Sequence, residues 1–173
     1  MSDINARGHE IGYHASIDTY QNRDLIQQEM NLLRGACNNV GVGQASYGSR
    51  QHYLRIKVPV TLRHLASAAV AYDTSLGYAD HAGFRCGTCW EYEFFDVEKR
   101  ERIGILERPL IVMECSVIDE QYMGLGHGQT ALETMLGLAR LCRTFSGDFT
   151  LLWHNSLLTS QEEIQLYKEV LAC

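Results

Sequence analysis

Apolar residues recur at helical spacing in four stretches of the chain. In the first stretch they are Ile26, Met30, Leu33 and Cys37, and Asn22 can cap the opening turn. The last stretch begins with Ser-Gln-Glu-Glu at residues 160–163, a capping box that starts an amphipathic helix. The pattern predicts helices over residues 22–37 and 59–70, from residue 132 to Gly147, and over residues 160–171.

Between these helices, short apolar or alternating segments predict strands. The continuous apolar run at residues 110–113 is typical of a central parallel strand, and residues 149–153 form a similar buried strand. Weaker patterns predict extended segments at residues 52–58, 90–95 and 103–106, and residues 72–89 are expected to form an ordered functional loop. Helices and strands alternate, which predicts an α/β layer or barrel in a single domain over residues 1–173.

Composition narrows the class of protein. The 173 residues are 46% apolar, enough for one compact core, and six cysteines in mostly apolar context are expected to be free thiols. The net charge of −6 disfavours nucleic acid as a partner, because each phosphate contact needs a nearby cation. The sequence has neither an apolar run long enough to cross a membrane nor the apolar segment of a signal peptide, so we expect a cytoplasmic location without membrane insertion. No pattern indicates the oligomeric state.

Histidine and carboxylate side chains lie close together near the start of the chain. His9, Glu10 and His14 are followed by Asp18, four residues beyond His14. Imidazole nitrogen and carboxylate oxygen suit zinc and similar divalent ions. The same spacing fits an ordinary surface turn, so these residues alone leave both interpretations open.

A second cluster combines cations and aromatic rings. Arg50, His52, Tyr53 and Arg55 fall within six residues of an otherwise acidic chain. Arginine would suit a site that binds a carboxylate or an acetate, because its planar fork matches two oxygens. The alternative is a solvated edge strand.

His154 directly follows the predicted strand at residues 149–153 and precedes Asn155. In α/β folds, ligand sites gather at the carboxyl ends of parallel strands, and imidazole suits a general acid there. The alternative is a structural histidine whose hydrogen bonds are all satisfied.

Together these segments resemble the polysaccharide deacetylases, the NodB-homology group of carbohydrate esterase family 4. GHEIGYH at residues 8–14 is similar to the segment that introduces the family's second motif, RQHY at residues 50–53 stands in the place of the third, and LLWHN at residues 151–155 is similar to its late Leu-x-His-Asp motif. A bacterial branch associated with surface polysaccharides resembles the chain more closely, through RQHYLR, YDTSLGYAD, GFRCGTC and LLWHN. The likeness extends over residues 6–171.

The resemblance implies a fold, an activity and residue roles. The fold would be an incomplete (β/α) barrel that lacks its N-terminal strand or strands, and the activity would be metal-dependent removal of acetyl groups from sugars in surface polysaccharide metabolism. His14 matches the first metal-ligating histidine, and Asp18 stands where the second histidine is usual; the implied ion is zinc. Arg50 matches the arginine that orients the catalytic aspartate, and His154 matches the general acid toward the leaving amine or alcohol.

The implied partner is an acetylated glycan, with substrate contacts from Tyr53, Arg85 and Trp90. The family's first motif, a strand ending in paired aspartates, should precede His9 by several tens of residues, and eight residues precede it here. One of those aspartates would be a metal ligand and the other the general base. We therefore expect an N-terminally truncated chain that is inactive alone.

The alternative hypothesis is a non-catalytic protein. In it the chain is a carbohydrate-binding domain or a partner subunit, and aromatic residues such as Tyr78, Trp90 and Tyr92 contact sugar without chemistry.

Overall fold

The computed structural model of the chain describes residues 1–172 and divides into two compact units. The first unit comprises Met1–Ser75 and Tyr92–Glu107, and the second comprises Leu76–Glu91 and the residues from Arg108 onward. The single domain over residues 1–173 stays a prediction. No described helix is both long enough and apolar enough to span a membrane.

The first unit is built around a five-stranded, mostly parallel sheet. Its elements are α1 (Ser2–Ala6), β1 (Tyr13–Ala15), α2 (Arg23–Asn39), β2 (Gly48–Gln51), α3 (Val60–Ser67), β3 (Tyr72–Asp73), β4 (Tyr92–Asp96) and β5 (Glu101–Glu107). The strand order is β1-β2-β3-β5-β4, and only the β4–β5 pair is antiparallel among these neighbours. The unit is thus mixed α/β with parallel pairing dominant.

Helices α2 and α3 pack on each other, and α3 also contacts β5. Helix α2 begins as predicted, because the Asn22 side chain accepts a hydrogen bond from the Leu25 amide at 3.1 Å and caps the first turn. The apolar face of α2 enters the core beside that of α3. Side chains with no exposed surface there are Ile26, Met30, Leu62, Leu65 and Ile105.

Two boundaries in this unit differ from the sequence predictions. Of the strand or extended segment predicted at residues 52–58, the strand is not found: the strand is β2, and a 3₁₀ turn at His52–Leu54 follows it. Tyr53 and Leu54 have φ values of 55° and 53°, a left-handed conformation outside the β region. Helix α3 ends at Ser67 rather than at residue 70, since Ala69 is also left-handed with φ 54°.

The second unit contains a two-stranded parallel sheet and three helices. Its elements are β6 (Val112–Met113), α4 (Glu114–Ile118), α5 (Gln129–Thr144), β7 (Leu151–Leu152) and α6 (Gln161–Leu171), with a 3₁₀ turn at Asn155–Leu157. The predicted capping box of α6 is confirmed: Ser160 accepts from the Glu163 amide, and the Glu163 carboxylate accepts from the Ser160 amide. The core of this unit includes Ile111, Val112, Val117, Met135, Leu166 and Val170.

The predicted functional loop lies mostly in the second unit. After β3, the chain has no helix or strand until β4, and residues 76–91 are held by hydrogen bonds to the rest of the second unit. The Gly83 amide donates to the Ile111 carbonyl at 2.8 Å, and Ser116 Oγ donates to the Ala79 carbonyl at 2.9 Å. The incomplete barrel implied by the resemblance stays a prediction.

Candidate functional site

The register of β6 and β7 brings two polar side chains together at one edge of their sheet. Val112 pairs with Leu151 and Met113 pairs with Leu152 in parallel orientation. Glu114 follows β6 directly, and His154 lies two residues beyond β7. Because parallel strands end at the same edge, the two residues meet there.

The contact is made by one carboxylate oxygen. Glu114 Oε1 accepts a hydrogen bond from the His154 main-chain amide at 2.8 Å and lies 2.5 Å from its Nδ1. Glu114 is wholly buried, whereas the His154 side chain is 45% exposed. A carboxylate accepts hydrogen bonds, so Nδ1 carries the proton toward Glu114 and Nε2 is the nitrogen left to exchange a proton.

The second oxygen of Glu114, Oε2, has no hydrogen-bond partner within residues 1–172. A buried polar atom without a partner costs free energy, typically about 1–3 kcal/mol. The protein therefore provides hydrogen bonds to only one oxygen of this carboxyl group. Within residues 1–172, Gln51 Nε2, His64 Nδ1 and Trp153 Nε1 are also buried without a hydrogen-bond partner.

Cys115 is the third group at this edge. One ligand atom each from Glu114, Cys115 and His154 lies within 4.8 Å of the other two, and this is the only group of three or more such side chains found in the described part of the chain. Desolvation by burial, with the nearby charges of Glu114 and Asp119, raises the pKa of Cys115 to about 11. The thiol is protonated at neutral pH and is a poor nucleophile, although the three side chains could together hold a metal ion.

His14 and Arg50, both predicted from the sequence, lie side by side in the first unit. They are paired across β1 and β2, and His14 Nδ1 is 3.0 Å from the Arg50 carbonyl. The His14 ring is also 5.2 Å from the His52 ring, centroid to centroid. The contact of Nδ1 with this carbonyl fixes the orientation of the His14 ring.

Asp18 and Tyr53 lie at the surface of the first unit. The Asp18 side chain is 84% exposed and is 3.9 Å from the Arg55 guanidinium. Tyr53 is 78% exposed and contacts the His52 ring edge-on at 4.5 Å. Neither residue belongs to a described group of three potential metal ligands, and the assignment of His14 and Asp18 as metal ligands stays a prediction.

Arg50 points its guanidinium toward the end of β3. Its Nε donates to Thr74 Oγ1 at 2.7 Å. Close by, Asp73 is wholly buried and accepts hydrogen bonds from Ser49 Oγ at 2.5 Å and from the Ser75 amide at 2.9 Å. Burial raises the pKa of Asp73. These contacts tie the ends of β2 and β3 together and position Arg50.

Arg85 and Trp90, the other predicted substrate-binding residues, lie in the second unit. Arg85 Nη1 donates to the Gly77 carbonyl at 2.8 Å and so braces the loop at residues 76–91. Trp90 is 54% exposed and lines an open, largely apolar cavity of about 300 Å³. The other lining residues are Phe84, Gly87, Thr88, Cys89, Leu141 and Phe145.

Among the residues predicted from the sequence, His14 and Arg50 lie in contact. His154 lies beside the carboxylate of Glu114, which the sequence analysis did not identify. The signal for Glu114 was present, because it directly follows the apolar run at residues 110–113. The rule that singled out His154, a polar residue after a buried strand, also applies to Glu114.

Comparisons of the chain with protein-family models, curated proteins and solved structures find no match.

Proposed function

We propose that this chain carries the proton-donating part of a hydrolase that removes acetyl groups from sugars. The observation that supports the proposal is the wholly buried Glu114 carboxylate held against the half-exposed imidazole of His154. A buried carboxylate that orients a histidine is a recurrent arrangement in acid–base catalysis, because it selects the tautomer and stabilises the imidazolium form.

In the proposed reaction, His154 begins as an imidazolium with protons on both nitrogens. It gives the Nε2 proton to the amine or alcohol that leaves when the acetyl group is cleaved. It keeps the proton on Nδ1, which donates a hydrogen bond to Glu114 Oε1. Arg50, whose Nε is fixed on Thr74, is proposed to orient a carboxylate of the catalytic base.

The resemblance also implies a divalent metal, for which we propose zinc. His14 would hold the ion together with Asp18, and the contact of His14 Nδ1 with the Arg50 carbonyl would orient the imidazole ring. When bound, such an ion supplies Lewis-acid polarisation of a carbonyl and activation of water.

The proposed substrate class is an acetylated glycan of a surface polysaccharide. The resemblance supplies this class, and the exposed Trp90 beside an open apolar cavity is compatible with it. An aromatic ring with one exposed face can cover the apolar face of a sugar while the sugar hydroxyls remain in water.

The test is acetate release from acetylated chito-oligosaccharides, with zinc or cobalt present. It compares this 173-residue chain with a fusion that adds an N-terminal strand ending in paired aspartates. The matched variants are His154→Ala and His127→Ala; His127 is the other histidine of the second unit near a glutamate, with Nε2 3.6 Å from Glu163. We expect the fusion to release acetate. In the fusion, His154→Ala should lower turnover by about 10²–10⁴-fold and His127→Ala should change it little. Equal activity of the His154→Ala variant would contradict the proposal.

A second candidate function is carbohydrate binding without catalysis. The cavity beside Trp90 favours this function, because a ligand bound there would be lined by residues other than Glu114 and His154. Glycan binding that is lost in Trp90→Ala and retained in His154→Ala, with no acetate release by any form of the protein, would support this function over the hydrolase.

A further inference from the structure

We infer that Glu114, Cys115 and His154 form a site for a thiophilic divalent cation such as Zn²⁺ or Cd²⁺, and that the cation blocks His154. Cation binding is argued from the geometry of the three side chains. The consequence of binding, that His154 can no longer donate a proton, rests on the proposed function. This site is separate in sequence from His14 and Asp18, which belong to the first unit.

The donor set fits such a cation. Carboxylate oxygen, thiolate sulfur and imidazole nitrogen are all zinc ligands, and a thiolate favours soft ions over Mg²⁺ or Ca²⁺. The three ligand atoms lie within 4.8 Å of one another, so small side-chain movements would bring them around one ion. A solvent molecule can complete a tetrahedral shell because the His154 side chain is 45% exposed.

A second observation points to a ligand at this place. Glu114 has no exposed surface, yet its Oε2 lacks a hydrogen-bond partner among residues 1–172. A cation bound by the Glu114 carboxylate would compensate the charge of this buried group. The charge of Asp119, which acts on the Cys115 thiol, also favours a cation there.

Binding changes the protonation of the site in a defined way. The Cys115 thiol loses its proton to solvent, and the neutral imidazole moves its one proton from Nδ1 to Nε2 as Nδ1 takes the metal. One proton therefore leaves for each ion bound. Since Nδ1 no longer donates to Glu114, His154 loses the arrangement that suits it to protonate a leaving group.

The test titrates the full chain with Cd²⁺ and records the ultraviolet charge-transfer absorption of the cadmium–thiolate bond. We expect a saturable band in the unmodified chain, its loss in Cys115→Ser, and a more than tenfold weaker affinity in Glu114→Gln. Cys86→Ser is the matched control, because Cys86 is likewise partly buried in the second unit, and it should keep the band. His14→Ala should keep it too. Circular dichroism establishes that each variant is folded.

A second readout follows the imidazole of His154 instead of the cadmium–thiolate absorption. The ¹⁵N imidazole resonances of His154 should move when Zn²⁺ is added to the unmodified chain and stay in place in Cys115→Ser. A band of full amplitude in Cys115→Ser, or unmoved His154 resonances in the unmodified chain, would overturn the inference. Neither result depends on acetate release, so failure of this site and failure of the proposed hydrolase are distinguishable.

Discussion

Glu114 Oε1 binds His154 twice, through the main-chain amide at 2.8 Å and through the imidazole Nδ1 at 2.5 Å. The amide contact fixes where the residue lies after β7, and the ring contact fixes which nitrogen carries the proton. A buried anion thereby controls the tautomer of a half-exposed imidazole.

The first prediction concerns that tautomer. We expect neutral His154 to carry its proton on Nδ1, and Glu114→Gln to shift the population toward the Nε2 tautomer, because a neutral amide is a weaker acceptor than a carboxylate. ¹⁵N correlation spectra of the imidazole rings distinguish the two forms. The His127 resonances provide the internal control, and an unchanged His154 tautomer in Glu114→Gln would contradict the assigned role of Glu114.

A second prediction concerns the Arg63–Asp96 ion pair, which links α3 to β4 in the first unit. Asp96 is 1% exposed and accepts from Arg63 Nε and Nη2 at 2.5 and 2.8 Å. The guanidinium lowers the pKa of Asp96 from 3.8 to about 2. Because the folded pKa lies below the unfolded one, the stabilisation is fully present above the unfolded pKa and is lost as pH falls toward 2.

Asp96→Asn should therefore lower the unfolding temperature at pH 6, and its difference from the unmodified chain should shrink as pH falls below 3.8. Glu93→Gln is the control, since Glu93 pairs with Arg102, whose side chain is 78% exposed. Exposed ion pairs contribute about 0–1 kcal/mol to the free energy of unfolding, so Glu93→Gln should change the stability little. An Asp96→Asn effect that is constant from pH 6 to pH 2 would refute the assignment.

A third prediction concerns the close approach of Gly147 to Cys89 in the second unit. A Cβ at Gly147 would overlap Cys89 Sγ and would lie 3.0 Å from the Cys89 carbonyl oxygen. Gly147→Ala should therefore destabilise the chain by about 1–3 kcal/mol through overpacking. Gly137, inside α5, has open space around it apart from Arg140 Nη2 at 3.9 Å, so Gly137→Ala should stabilise by about 0.5–1 kcal/mol. Chemical denaturation measures both, and equal stability of the two variants would count against the packing described here.

A fourth prediction follows from the resemblance and the sequence. The catalytic base and one metal ligand of the polysaccharide deacetylases are paired aspartates, and no two aspartates are adjacent in these 173 residues. Since general-base assistance contributes about 10²–10⁴-fold, we expect this chain alone to release no acetate above background. The measurement is acetate release with zinc or cobalt present, and robust turnover that depends on His154 would show the expectation to be wrong.

Local signals made part of the fold predictable. Helices α2 and α6 begin where Asn22 and Ser160 provide caps, because a cap acts within four residues and is visible in any sequence. A strand at residues 52–58, one of the two alternatives predicted there, is not found for the opposite reason. The partial alternation after Gln51 resembled a strand, while the left-handed Tyr53 and Leu54 that end β2 are conformations that no periodicity indicates.

The candidate site was half predictable. His154 was identified from its place after an apolar strand, and Glu114 was missed although it occupies the equivalent place after residues 110–113. The contact between His154 and Glu114 depends on the register between β6 and β7. In that register Val112 pairs with Leu151, which lies 39 residues further along the chain. Such a long-range register is set by tertiary packing and cannot be inferred from either segment alone.

The role of His154 is tested most directly by titrating this chain with an acetylated chito-oligosaccharide and following the imidazole resonances of His154. We expect a saturable shift at His154, a weaker shift with the fully deacetylated oligosaccharide, and no shift at His127. Binding that leaves the His154 resonances unmoved, or no binding at all, would contradict the claim that His154 and Glu114 form an acid–base site for acetylated sugars.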